Sequence, residues 1–125
     1  MKSLVRPAFA GISVVSMLAA ITVAGAQKPA PATSYAKVDK IIQAKCIGCH
    51  QGAHPAGGVN LKDYAAVMGG KYRGKPLVVA KNAKASVLSN AVHGTGGVAK
   101  MPPGGDLPAT DQKTIDAWIA AGAKK

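Results

Sequence analysis

Both cysteines of the chain fall in one pentapeptide, Cys46-Ile47-Gly48-Cys49-His50, and that spacing limits what the rest can fold into. A bridge across two residues closes too small a loop to staple a domain, so a disulfide scaffold is excluded. Packing must supply the interior, and there is little to pack. Residues 1–26 read as an export signal: Lys2 and Arg6 precede a largely apolar run, Ala8 to Val23, and Ala24-Gly25-Ala26 forms a small-x-small cleavage site. The alternative is an uncleaved membrane anchor, since the run approaches the roughly 20 residues that span a bilayer. Gly11, Ser13, Ser16 and Thr22 dilute it, and no cysteine follows the site to carry a lipid.

Taking those 26 residues from 125 leaves 99, whose aromatic side chains are Tyr35, Tyr64, Tyr72 and Trp118, the single Phe being Phe9 in the signal. A body this small, with so few large side chains, is marginal on apolar burial alone. A bulky apolar cofactor in the middle would meet the shortfall. One domain is the ceiling for this length.

Residues 27–33, with Pro29 and Pro31, read as a linker before a domain over 34–125. Val38, Ile41 and Ile42 repeat at helical spacing behind Thr33 or Ser34, predicting an amphipathic helix to about Cys46. Gln51 to Gly58 is a loop. Asp63 caps a short helix Tyr64 to Met68 that stops at Gly69-Gly70. Tyr72 to Ala85 reads as mostly irregular, with Leu77 to Val79 extended. Ser86 caps another short helix with Val87, Leu88, Ala91 and Val92 on its apolar face, ending at Gly94. Gly94 to Pro108, with five glycines and three prolines, has no regular structure. Thr110 caps a last helix carrying Ile115, Trp118 and Ile119, with Gly122 as its left-handed stop. Trp118 is assigned first to core packing against Val38, Ile41 and Ile42, and second to contact with a cofactor edge. The class is all-α with long loops.

On one helical turn, residues three and four apart face the same way. Cys46 and Cys49 can then bond to the two vinyl groups along one haem edge while His50 lies under the iron, which is why Cys-x-x-Cys-His is the attachment signature of c-type haem. A redox Cys-x-x-Cys would want a βαβ setting. A zinc site could draw on Cys46, Cys49 and two of His50, His54 and His93, but lacks a second knuckle. For the sixth iron ligand the candidates are Met68, Met101, His54 and His93. His54 is too near His50 to reach the opposite face, Met68 reads as core filler, and His93 as a satisfied or exposed imidazole. Met101 stands before Pro102-Pro103, which stiffen its loop and lower the ordering cost of binding through a weak thioether.

Together with Gly57-Gly58-Val59-Asn60-Leu61, Gly69-Gly70, Ser86-Val87-Leu88, Met101-Pro102-Pro103 and the segment Ile115 to Ala123, the motif resembles that of monohaem c-type cytochromes, in particular small bacterial ones related to planctomycete cytochrome C domains. The likeness covers most of residues 35–123. It implies a cytochrome c-like fold, first and last helices crossing around one haem c, with Cys46 and Cys49 as thioether anchors and His50 and Met101 as axial iron ligands. It also implies a carbonyl near Pro55 that accepts from the proximal imidazole.

Sixteen Lys and Arg against five acidic residues give a formal charge of +11, and taking Lys2 and Arg6 away with the signal leaves +9. That exceeds what solubility requires and suits electrostatic steering of an acidic redox partner. The basic residues form no compact run, and export argues against nucleic acid; an anionic membrane surface is a secondary partner. The expectation is an exported, periplasmic single-electron carrier and no enzyme. A haem sensor or gas binder with a labile Met101 is the rival binding reading. Others are a haem module of a larger redox complex and a peroxidase-like site, for which Lys100 alone stands beside Met101.

Overall fold

A computed structural model describes residues 33–125, so the proposed signal and nearly all of the linker lie outside the described residues. The described chain is mostly helical: α1 (Tyr35–Lys45), a 3₁₀ turn (Ala56–Gly58), α2 (Tyr64–Gly69), a hairpin of β1 (Lys71–Tyr72) and β2 (Lys75–Pro76), α3 (Val87–His93) and α4 (Ala109–Ala120).

Val38 and Ile42 of α1 and Trp118 and Ile119 of α4 are excluded from solvent where the two helices pack, and α3 packs against α4 in turn. Trp118 takes the first of its two expected roles. Its ring lies 5.5 Å from Tyr35 and 6.4 Å from Tyr64, and its indole N–H donates to the Lys124 carbonyl at 2.7 Å. Tyr64 donates to the Ala123 carbonyl at 2.9 Å, so the aromatic cluster also fastens the C-terminus. α4 ends as Gly122 predicts. Gly122 takes a φ of 108°, its N–H bonds to Ile119, and the Ala123 N–H bonds to Trp118, the paired bonds of a Schellman stop.

Three local expectations are corrected. Thr110 does not cap α4: Pro108 occupies that position, its carbonyl accepting from Asp111 and Gln112, and Thr110 lies inside the helix. Ser86 stands at the cap of α3 but does not cap it. It is fully buried, and its hydroxyl accepts from the Val79 N–H at 2.8 Å and donates to the Asn82 carbonyl at 2.8 Å, tying the preceding loop to the helix. The stretch after Tyr72 begins in a hairpin, with Lys71 opposite Pro76 and Tyr72 opposite Lys75. Arg73 (φ 50°) and Gly74 (φ 77°) both turn left-handed, the conformation that matches the twist of a two-residue hairpin loop. Leu77 and Val78 then pass into the core, and the Leu88 N–H bonds to the Leu77 carbonyl at 2.9 Å.

Tyr35 is buried, and its hydroxyl has no hydrogen-bond partner among the described residues. Burial, with Asp39 and Asp63 nearby, pushes its ionisation from 10.0 up to about 12. The unfolded chain therefore releases this proton first as pH rises. The stabilisation is complete below pH 10 and is lost through about pH 12. Denaturant unfolding across that window will show falling stability, and Tyr35→Phe will flatten the fall.

Candidate functional site

The pentapeptide continues from the end of α1. Cys46 is the C-cap residue, and its carbonyl accepts from the N–H groups of Cys49 and His50, both at 3.1 Å. The His50 bond spans four residues, as in a helical turn, so both cysteines and His50 face one cleft. Burial pushes the Cys46 thiol above its usual range. The two cysteines are not bridged to each other.

His50 is held by the loop that follows. Its Nδ1 donates to the Val59 carbonyl at 3.0 Å, which leaves Nε2 as the nitrogen with a free lone pair. The acceptor is therefore Val59 and not a carbonyl near Pro55. The Pro55 carbonyl is occupied by the Gly58 N–H, and Gly57 (φ 62°) and Gly58 (φ 72°) turn the chain back so that Val59 reaches the imidazole. The Leu61 N–H bonds to the His50 carbonyl at 2.7 Å and fixes the backbone beside it.

The cleft holds about 1060 Å³ of empty space measured out to its open mouth. Its walls are almost wholly apolar: Leu61, Leu77, Val87, Leu88, Val92 and Leu107 all line it. An open cleft with walls of this character suits a large apolar group.

Met101, Pro102 and Pro103 also line the cleft. The Met101 N–H donates to the Ala91 carbonyl of α3 at 2.8 Å, and an ion pair between Lys100 and Asp106 clasps the base of the loop. The other candidates for the sixth ligand lie elsewhere. His93 Nε2 is engaged by Asp116 at 2.7 Å, His54 is exposed, and Met68 packs against the core; none lines the cleft, and neither does Trp118. Among the described residues no three His, Cys, Asp or Glu side chains converge, as a zinc site would require. The sheet is an antiparallel hairpin, not a βαβ unit.

Two thiols, an imidazole with one nitrogen free and a thioether, all facing an apolar cleft, fit a porphyrin bonded through sulfur. Sequence reasoning missed the Val59 carbonyl, which depends on two left-handed glycines, and the cleft-lining Tyr72, whose ring lies under the Arg73 guanidinium at 5.1 Å. The Gly57-Gly58 pair was the available signal for the first.

Residues 46–105 match the family described as Planctomycete cytochrome C. The match opens on Cys46, takes in His50 and Met101, and supports a small c-type cytochrome-like domain and haem-based electron transfer. No curated protein and no solved structure gives a significant match.

Proposed function

We propose that this c-type cytochrome-like domain is a single-electron carrier with one haem c, anchored by Cys46 and Cys49 and ligated by His50 and Met101. The observation that carries the proposal is the cleft, where the pentapeptide and the Met-Pro-Pro loop line the same apolar space. Haem supplies a one-electron iron couple whose potential is raised by a thioether ligand relative to a second imidazole. The chain's own residues set its surroundings. Val59 orients the His50 ring through Nδ1. Ala91 holds the Met101 backbone, and the two prolines keep the loop from relaxing. The leucine and valine walls exclude water, which keeps the ligand set the same in both oxidation states and the reorganisation on electron transfer small.

In this reading α1 and α4 are the crossing terminal helices of a cytochrome c-like fold, and their mutual packing supports it. No substrate is transformed. Lys100, the group beside Met101 that could act as an acid or base, is committed to Asp106. Residues 1–26 direct export to the periplasm, where such haem is attached. The partner is a redox protein with an acidic docking surface. Lys45 at the cleft, and Lys71, Arg73 and Lys75 on the exposed hairpin that carries Tyr72, supply the matching charge.

In the matured holoprotein, Met101→Ala will remove the long-wavelength sulfur-to-iron charge-transfer band of the ferric state and lower the potential. Retention of that band overturns the ligand assignment. Electron exchange with an acidic partner will slow as salt rises, since exposed charges are screened beyond about 8 Å at physiological ionic strength; a salt-independent rate counts against steering.

A further inference from the structure

α3 is seven residues long, too short to hold its place by its own backbone bonds. Its first turn is fixed by the bond from Leu88 to Leu77 and by the buried Ser86 hydroxyl. Its last turn is held differently. Asp116 of α4 uses both carboxylate oxygens on it: the Ser89 hydroxyl donates to Oδ1 at 2.7 Å, and His93 Nε2 bonds to Oδ2 at 2.7 Å. Ser89 and His93 are four apart and share one face of the helix.

Between them in sequence is Ala91, whose carbonyl accepts the Met101 N–H. The neighbouring Lys100 side chain lies over Gly94, so close that a Cβ there would sit 3.1 Å from its Cδ. The Met101 loop is therefore docked on the turn of α3 that Asp116 grips. α4 in turn packs on α1, and α1 runs directly into Cys46 and His50. One carboxylate thus joins the frame that carries His50 to the element that carries Met101.

From this chain of contacts we infer that Asp116 is a positioning residue: by gripping Ser89 and His93 it fixes the end of α3 and, through Ala91, sets Met101 at its distance from His50. The inference rests on the proposed ligation by His50 and Met101. Removing the Asp116 carboxylate leaves the buried Ser89 hydroxyl without its acceptor and frees the last turn of α3. A thioether would be the weakest ligand to the iron and would yield first.

The test compares matured holoprotein carrying Asp116→Ala with Val67→Ala, which empties core space on α2 away from the cleft. Both are measured well below their melting temperatures. Asp116→Ala is expected to lose most of the ferric sulfur-to-iron band and to bind carbon monoxide in the ferrous state at neutral pH. Val67→Ala is expected to melt earlier while keeping the band and excluding the gas. A full band with carbon monoxide excluded in Asp116→Ala overturns the inference, as does equal loss in Val67→Ala. If Asp116→Ala yields no coloured protein, the double variant Ser89→Ala with His93→Leu, which leaves neither Asp116 oxygen a donor on that face of α3, decides in the same way, loss of the band supporting the inference and its retention overturning it. The Met101→Ala arm is read separately: a surviving band there defeats the ligand assignment whatever Asp116→Ala does.

Discussion

Where α1 meets α4, Val38, Ile42, Trp118 and Ile119 shut out solvent, and the remaining elements take their places from that contact. α1 ends on the pentapeptide, so the orientation of the contact fixes which way Cys46, Cys49 and His50 point. α4 offers its other face to α3, and α3 receives the Met101 loop. The two sides of the cleft are therefore carried by helices that share a buried seam. That arrangement lets a chain with so few large side chains bring His50 and Met101 to one cleft.

The cleft itself is a departure from ordinary packing. A body of this size gains little from burial and can ill spare an open cleft walled by leucine and valine side chains. A haem seated there would complete the interior. Covalent attachment, as proposed, would keep a large ring in place without a surrounding core thick enough to retain it. The same bonds would make the group's presence independent of the strength of a Met101 ligand, which would then tune the site instead of holding it together.

Much of this was legible in the residues. The period of Val38, Ile41 and Ile42 located α1, Asp63 located α2, and Gly122 closed α4 in the left-handed turn expected of it. The pentapeptide pointed to haem because its spacing is a statement about one helical turn, and the family match supports that reading. What could not be read depended on backbone direction at single residues. Arg73 is not a residue that advertises a left-handed hairpin turn, so the short strands on either side went unrecognised. Ser86 looked like a cap because serines before helices commonly are, yet burial turned its hydroxyl toward Val79 and Asn82. The acceptor for His50 was placed near Pro55 because the effect of two consecutive left-handed glycines on the following carbonyl is a three-dimensional fact. Asp116 gave no signal at all, since its partners lie 23 and 27 residues away.

Everything proposed for the cleft requires iron porphyrin bonded to this polypeptide through Cys46 and Cys49. The chain, expressed with its N-terminal segment in a host that matures c-type haem, can be denatured and extracted with acidified organic solvent, which strips haem held only by packing and ligation. The colour is expected to stay with the protein, and replacing both cysteines by alanine is expected to abolish it. A colourless product, or a pigment that passes wholly into the solvent, would contradict it.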